Sequence, residues 1–564
     1  MIRSQLAASS TLSRLRRIAA SALTPKRDHP TTTSLNRLAA VAQQISAARM
    51  AADATAASPD AAVSQRTQQP MLASQRARLQ QDQSSESSDQ STPRRTMSGF
   101  FPLGYKEAAA QWWTSISSPA AERNVLSMIP YLKEATAGSN SSLLSANSGD
   151  PFGQRIWRSS MVALSGKNRA LNEYSVERVG EPVDDTLVML HGYGAGLGFF
   201  YKNFEGLSRV EGWKLYALDM LGMGNSSRPP FKVHAKDAPG KIAEAESFFV
   251  DSLEEWRKVK KIEKFTLLGH SLGGYLAVSY ALKYPGHLNK LILASPVGIP
   301  EDPFAVNAAM PEPENSTMAA EFTQDQESIT TPEANGNTKA SGGDKNTLFN
   351  AKGKPEETGK PQRRPLPPWL VWLWDANVSP FSLVRAAGPL GPRLVSGWTS
   401  RRFNHLPPEE AQALHTYSYT LFRQRGSGEY ALPYLLAPGA FARSPVINRI
   451  QNVGRQVVRP ATETAPEVRE TGFPIVLMYG DKDWMDVSGG FAAEEKIKAR
   501  ALQALLHGTP EEKRRENGSA KVVIVQRAGH HLYLDNPDEF NEILRKELEE
   551  TREWGKRQRA LGQS

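Results

Sequence analysis

The feature that most constrains this chain is a short stretch in its middle. The largely apolar run Phe265–Leu268 is followed at once by Gly269-His270-Ser271-Leu272-Gly273-Gly274, and then by Tyr275–Lys283 with helical character. A strand that turns straight into a helix at a serine between small residues is the signature of a nucleophile elbow. The serine occupies a strained backbone conformation, and glycines on either side let neighbouring backbone approach closely enough to hold it. The turn presents Oγ at the carboxyl edge of a sheet and points the first N–H groups of the helix at the same place. A bare G-x-S-x-G pattern occurs in many loops; its position between a strand and a helix gives it weight.

The segments around it repeat strand and helix. Thr186–Leu190 is a compact apolar strand leading into His191-Gly192-Tyr193-Gly194-Ala195-Gly196, and Trp213–Leu218 is another ending in Asp219-Met220-Leu221-Gly222-Met223-Gly224. A helical stretch, Ala243–Lys260, precedes the elbow strand, and Leu288–Ser295 is the next strand. Late in the chain, Pro474–Tyr479 runs into Gly480-Asp481-Lys482-Asp483-Trp484-Met485-Asp486, and Lys521–Val525 into Gly529-His530-His531. Asn536-Pro537-Asp538-Glu539 reads as the cap of a last helix. This alternation predicts an α/β fold, a mostly parallel sheet with helices on both faces and a helical cap inserted between strands. Ligands in such sheets bind beyond the carboxyl ends of the strands, where these turns lie.

The chemistry follows from the order Ser, acid, His. Serine Oγ becomes a useful nucleophile when an imidazole takes its proton, and a carboxylate holds that imidazole in the right tautomer. His530 directly follows the final strand and Gly529, and is preferred to its rival His531. Asp483 suits the tight turn after its strand, Asp486 lies within reach of the same loop, and Asp481 is assigned to the turn itself. The expected catalytic set is Ser271, Asp483 and His530, with the backbone N–H groups of Tyr193 and Leu272 as the oxyanion hole. The glycine spacing fits neither a phosphate loop nor a dinucleotide fingerprint, so no cofactor is expected. His530-His531 lacks helical i, i+4 spacing and the chain has no Cys, so no metal is expected either.

The absence of Cys also excludes disulfides and thiolate catalysis. The formal charge is +9, but residues 1–97 hold 13 Lys and Arg against 6 Asp and Glu, so the rest is nearly neutral and carries no nucleic-acid footprint. The first 27 residues contain Arg3, Arg14, Arg16, Arg17, Lys26 and Arg27 and no acid, with Leu12, Leu15 and Ile18 on one helical face. That pattern fits a mitochondrial presequence; a plain basic tail is the other reading. The domain plan is a targeting leader and disordered segment over 1–97, an aromatic and helical N-terminal extension over 98–170, and the first part of the core over 171–304. A disordered insertion over 305–365, a helical cap over 366–470 and the rest of the core over 471–564 complete it. Phe100-Phe101, Trp112-Trp113 and the Trp369, Trp372 and Trp374 cluster beside Arg363 and Arg364 suit a membrane interface or plain packing against the body. No run is long and apolar enough to span a bilayer.

With these residues placed, the chain resembles the α/β-hydrolase fold family. The matches are HGYGAGLGFFYKNFEGLS from His191, LDMLGMGNSSRP from Leu218, LGHSLGGYLAVSYALKYP from Leu268, RAAGPLGPRLV from Arg385 and AGHHLYLDNPDEFN from Ala528. They cover about 100–304 and 366–550, and resemble most the subgroup holding the mitochondrial cardiolipin-specific deacylase of fungi and the lipid-droplet and lysophospholipid hydrolase-like proteins. The resemblance implies a serine acyl-hydrolase releasing fatty acid from a membrane phospholipid, cardiolipin foremost, peripheral to the mitochondrial inner membrane. The alternatives are an acyl-CoA-dependent lysophosphatidic acid acyltransferase, or a non-catalytic lipase co-activator at a lipid droplet or in the cytoplasm. The co-activator lacks the nucleophilic serine that stands here at Ser271. Subgroup members carry the acid at the place of Asp483 or of Asp486, and this chain has both. A His-x-x-x-x-Asp pattern, His530 to Asp535, matches an acyltransferase-like motif, although Asp535 also suits the start of the last helix.

Overall fold

The computed structural model describes residues 102–134, 150–301, 379–437, 441–464 and 466–562. The leader, Phe100-Phe101, the 305–365 insertion and the Trp369–Trp374 cluster lie outside the described residues. The strands in chain order are β1 (Lys133–Glu134), β2 (Arg155–Ala163), β3 (Ala170–Arg178), β4 (Asp185–Leu190), β5 (Trp213–Leu218), β6 (Phe265–His270), β7 (Leu288–Ala294), β8 (Val457–Arg459), β9 (Val468–Arg469), β10 (Pro474–Gly480) and β11 (Ser519–Val525). Nine of them form one sheet in the order β1-β2-β3-β5-β4-β6-β7-β10-β11, and β8 and β9 pair as a separate ribbon. Only β3 runs against the other strands of the large sheet.

Side-chain alternation divides the core into two layers. Val188 and Leu190, Leu267, Leu291 and Leu293, and Ile475 and Leu477 pack with the helices Ala238–Lys260 and Leu272–Lys283. Their neighbours Leu187 and Met189, Leu268, Ile292, and Val476 and Met478 pack on the other face with the helices Tyr201–Leu207 and Pro537–Gly562. Strands buried on both faces carry continuous apolar runs, which is why β4, β6 and β7 are legible in the sequence. β4 and β6 are adjacent although β5 separates them in the chain, so the sheet changes winding direction there and opens a crevice beyond their carboxyl ends.

Two expectations need correction. The sheet does not begin near 171: β2, within the segment read as an aromatic and helical extension, lies in it, with β1 at its edge. The outer residues of β2, Arg158, Ser159 and Ser160, are exposed and polar, so no alternation marks it; pairing with β3 along its length makes it a strand. Second, the polar stretch read as a loop near 453–470 contains the β8–β9 ribbon.

The two N-terminal helices, Tyr105–Trp113 and Ser118–Leu126, pack on the cap. Leu103 N–H donates to Ser396 Oγ (3.0 Å), and Gln111 Oε1 lies 3.0 Å from His415 Nε2. The cap helices Pro380–Ala386, Gly391–Arg402 and Pro408–Arg423 fall between β7 and β10. No described helix is long and apolar enough to cross a membrane.

The last helix is tied to the sheet by a buried ion pair. Lys290 Nζ, on β7, donates to Glu547 Oε2 (2.7 Å) and to the Glu547 carbonyl (2.8 Å). Removing one partner strands the other charge in low dielectric, which costs about 3–5 kcal/mol. Glu547→Ala should therefore lower the unfolding free energy obtained by urea titration by that amount, whereas breaking an exposed pair such as Lys546–Glu542 should leave it nearly unchanged.

Candidate active site

β6 ends at His270 and a helix starts at Leu272, leaving Ser271 at φ +52°, ψ −117°. Such a backbone costs a non-glycine residue roughly 1–3 kcal/mol and persists only when its surroundings over-determine it. Here Ser271 N–H donates to the Ala294 carbonyl (3.0 Å), and its own carbonyl accepts from the Gly274 and Tyr275 N–H groups (2.9 and 3.2 Å). The flanking glycines allow the approach. A Cβ at Gly269 would sit 2.3 Å from the Gly273 carbonyl oxygen, and one at Gly273 would meet the Leu190 and His191 oxygens at 2.7 Å. Gly192 faces Ser271 Cβ at 3.0 Å on the same measure, so the loop carrying Tyr193 lies directly against the elbow.

His530, in the turn after β11, has its Nδ1 3.3 Å from Asp483 Oδ1, with both side chains fully buried. Asp483 is itself held: Oδ2 accepts from Ser295 Oγ (2.5 Å) and Oδ1 from Met485 N–H (3.0 Å). Asp486 does something else. It caps the helix Val487–His507, accepting from Ser488 N–H (2.9 Å) and Ser488 Oγ (2.6 Å). The structure thus brings Asp483, and not Asp486, to the imidazole. The turn bearing His530 is pinned on both sides, as Ala528 N–H donates to Asp481 Oδ1 (2.9 Å) and Gly529 N–H to Asp535 Oδ2 (3.0 Å). Asp535 also lies 3.7 Å from His405 Nε2, so the acid of the His-x-x-x-x-Asp pattern fastens this turn.

His270 joins the two halves of the site. Its Nε2 lies 2.9 Å from the His530 carbonyl, and the two rings are 4.9 Å apart. Burial, and then the neighbouring His530, hold its pKa well below the usual imidazole value, so the ring is neutral. A neutral ring facing a carbonyl must carry its proton on Nε2. That bond links the turn of His530 to the residue just before Ser271. His531 packs instead against His270 and Tyr533, 4.9 and 5.8 Å between rings. Buried His191, also shifted to the neutral side by desolvation, has Nδ1 2.7 Å from the Gly192 carbonyl and accepts the Met220 N–H at Nε2 (3.1 Å), bracketing the turns after β4 and β5.

Leu272 opens the elbow helix, and N–H groups of a first turn have no acceptor within their helix. The Tyr193 ring stacks on Phe381 of the cap (5.2 Å, 13°), and Phe381 on Phe422 (4.4 Å, 17°). A cavity of about 20 Å³ beside them is lined by Tyr193, Gly194, Phe381 and Phe422, with Arg228 and Glu429. Of the residues that support the site, Ser295 is not singled out in the sequence reading, which assigns Asp481 to its turn and gives His270 a role outside the catalytic set. Ser295 and Asp481 directly follow β7 and β10, and that shared position at the sheet's carboxyl edge is the signal that points to them.

Comparison with known proteins agrees with this architecture. Residues 185–329 match the family model for the α/β-hydrolase fold. The 1-acylglycerol-3-phosphate O-acyltransferase of Arabidopsis thaliana is 31% identical over 434 residues, covering 75% of this chain and 78% of that one. The chain belongs to the α/β-hydrolase family. Human 1-acylglycerol-3-phosphate O-acyltransferase ABHD5 is 29% identical over 64% of this chain and 76% of its own. Human (lyso)-N-acylphosphatidylethanolamine lipase is 28% identical over 68% and 84%. Of these three relatives of this α/β-hydrolase, two are named as acyltransferases and one as a lipase.

Among the described residues, no group of three or more His, Asp or Glu side chains is arranged to hold a metal ion. The hydrolase elbow itself is sensitive to added volume. In Gly273→Ala the new methyl meets two backbone oxygens that no rotamer change can move, so a loss of about 1–3 kcal/mol is expected by thermal or urea unfolding.

Proposed function

We propose that the chain is a serine acyl-hydrolase of membrane phospholipids, with Ser271 as nucleophile, His530 as base and acid, and Asp483 as the group that orients His530. The observation that carries this reading is the 3.3 Å approach of Asp483 Oδ1 to His530 Nδ1, on a turn that His270 ties to the residue before a serine held at positive φ. In the proposed reaction Ser271 Oγ attacks the ester carbonyl carbon while its proton passes to His530. The oxyanion that forms is met by the N–H groups of Tyr193 and Leu272, each worth roughly 3 kcal/mol to the transition state. The carbon–oxygen bond to glycerol breaks, His530 returns the proton to the departing oxygen, and water then releases the fatty acid by the same steps reversed in role.

Ser271 is only 2% exposed, and the cavity of about 20 Å³ beside the Tyr193–Phe381–Phe422 stack has room for a water, not an acyl chain. Lipid entry therefore requires the Tyr193–Phe381–Phe422 stack to part. The outer face of the same cap supports a membrane setting. Leu383, Leu390 and Leu394 are exposed there, beside Tyr105 and the 81% exposed Trp113 of the N-terminal helix. Lys106, Arg393 and Arg401 lie among them, a composition suited to anionic headgroups. Cardiolipin as substrate and a site peripheral to the mitochondrial inner membrane rest on the motif resemblance and the basic leader; a lipid droplet or the cytoplasm are the other locations.

The names of the acyltransferase relatives favour a second reading, in which the same acyl-enzyme is resolved by the hydroxyl of a lysophosphatidic acid. One experiment separates the two. Purified protein is given cardiolipin vesicles, and separately labelled acyl-CoA with lysophosphatidic acid. Fatty-acid release that disappears in Ser271→Ala supports hydrolysis, and a Ser271-dependent phosphatidic acid product supports transfer. Undiminished release by a folded Ser271→Ala protein would refute the assignment. Asp483→Asn should lower kcat by about 10⁴ through loss of the productive tautomer. Asp486→Ala should remove only a helix cap, about 1 kcal/mol of stability, with kcat retained.

A further inference from the structure

Glu122, on the helix Ser118–Leu126, is buried, and its hydrogen-bond partners come from other segments. Asn172 of β3 donates through Nδ2 to Glu122 Oε1 and Oε2 (3.0 and 3.1 Å), and Asn225 Nδ2 donates to Oε2 (2.8 Å). The Tyr417 hydroxyl, from the cap, donates to the same oxygen (3.0 Å). Asn172 Nδ2 also reaches Asp219 Oδ2 (2.8 Å). Two of these partners hold the glycine-rich loop after β4. Asp219 Oδ1 accepts the Leu197 N–H (2.7 Å), and the Tyr417 hydroxyl accepts the Gly198 N–H (3.3 Å). The loop is shaped around that tyrosine, since a Cβ at Gly196 would lie 2.3 Å from the Tyr417 oxygen and one at Gly198 2.8 Å from its ring. Glycine here is therefore required by the cap as well as by the turn.

We propose that Glu122 is a positioning residue for the oxyanion loop: through Tyr417, Asn172 and Asp219 its carboxyl latches the N-terminal helix and the cap onto the segment that carries Tyr193. This rests on the serine-hydrolase reading above. At neutral pH Glu122 is mostly protonated, although the hydrogen bonds from Asn172, Tyr417 and Asn225 favour its ionised form. Burial first, and then the neighbouring carboxylate of Asp219, raise its pKa to about 8. The titratable and charged groups around it are Asp219 from the turn after β5, Tyr417 from the cap, and His191 and Arg228 on the far side of Asp219. Burial holds His191 neutral and the Tyr417 hydroxyl protonated. As pH rises through about 8, Glu122 gains a negative charge beside Asp219, and the two carboxylates repel.

The test is the pH profile of a soluble short-chain ester, p-nitrophenyl butyrate, which separates the loop from membrane docking. The wild-type kcat should fall by roughly tenfold between pH 8 and pH 9.5. Glu122→Gln cannot ionise and keeps an acceptor for Tyr417, so it should restore most of the neutral-pH rate while losing that alkaline fall. Glu122→Ala, checked for fold by circular dichroism, should lose about tenfold in kcat with little change in KM, as expected for a displaced oxyanion donor. A Glu122→Gln profile that falls as the wild type does, or an undiminished kcat in Glu122→Ala, overturns the proposal. Ser271→Ala run in parallel keeps the two readings apart. Hydrolysis that survives in Ser271→Ala overturns the nucleophile assignment, whereas hydrolysis lost there with an unaltered Glu122→Gln profile overturns the latch alone.

Discussion

The site depends on two stretches of backbone that touch. A serine in the left-handed region is unstable alone, and it is held because the elbow after β6 and the loop after β4 interlock through their glycines. Gly273 lies against the Leu190 and His191 carbonyls and Gly192 against Ser271. Because β4 and β6 are neighbours, the sheet itself sets this approach, and the parallel register Leu190↔Gly269 fixes its height. Close-packed backbone has few ways to relax, so the strain of the elbow is carried by the most rigid part of the molecule.

Around this contact the protein uses imidazole mainly as a neutral bracket. His191 and His270 are buried and shifted to the uncharged form, and burial takes His405 down to about 4 and His415 to about 3. Their nitrogens join loops, His191 to Met220 and His270 to His530, or join elements, His415 to Thr399 and Gln111. His530 differs in having a carboxylate oxygen within hydrogen-bond distance, Asp483 Oδ1 at 3.3 Å from Nδ1, whereas His191 and His405 stand 3.6 and 3.7 Å from Asp219 and Asp535. A charge forming on His530 would thus meet Asp483 while the surrounding rings stay neutral, which is the electrostatic arrangement a transient imidazolium needs.

How much of this could be read in advance varied with how local each signal was. β4, β6, β7 and β10 stand out because both faces are covered and the runs are continuous. The elbow stands out because strand, serine and glycines are contiguous. β2 escaped because its outward residues are polar and only pairing with β3 makes it a strand. The choice between Asp483 and Asp486 was open because both lie on one loop; what separates them is that Asp486 caps the helix starting at Val487, and the Asp-Val-Ser sequence is a capping pattern in retrospect. The bond of Glu122 to Tyr417 spans 295 residues and joins two segments with no shared pattern. No periodicity or motif encodes it.

The same buried geometry bears on the choice between hydrolysis and transfer in the proposed chemistry. Both begin with an acyl group on Ser271, and they differ only in which hydroxyl reaches it next. With the cap closed, the Tyr193–Phe381–Phe422 stack leaves room for a water. A lysolipid acceptor needs the stack parted, and a parted stack also admits bulk water. Transfer would then win only if the acceptor itself filled the opened space and excluded water from it. The outcome is set by how the cap closes over an acceptor, and less by the triad, which serves both reactions equally. On this argument, related chains that share the same elbow can differ in product through cap residues alone.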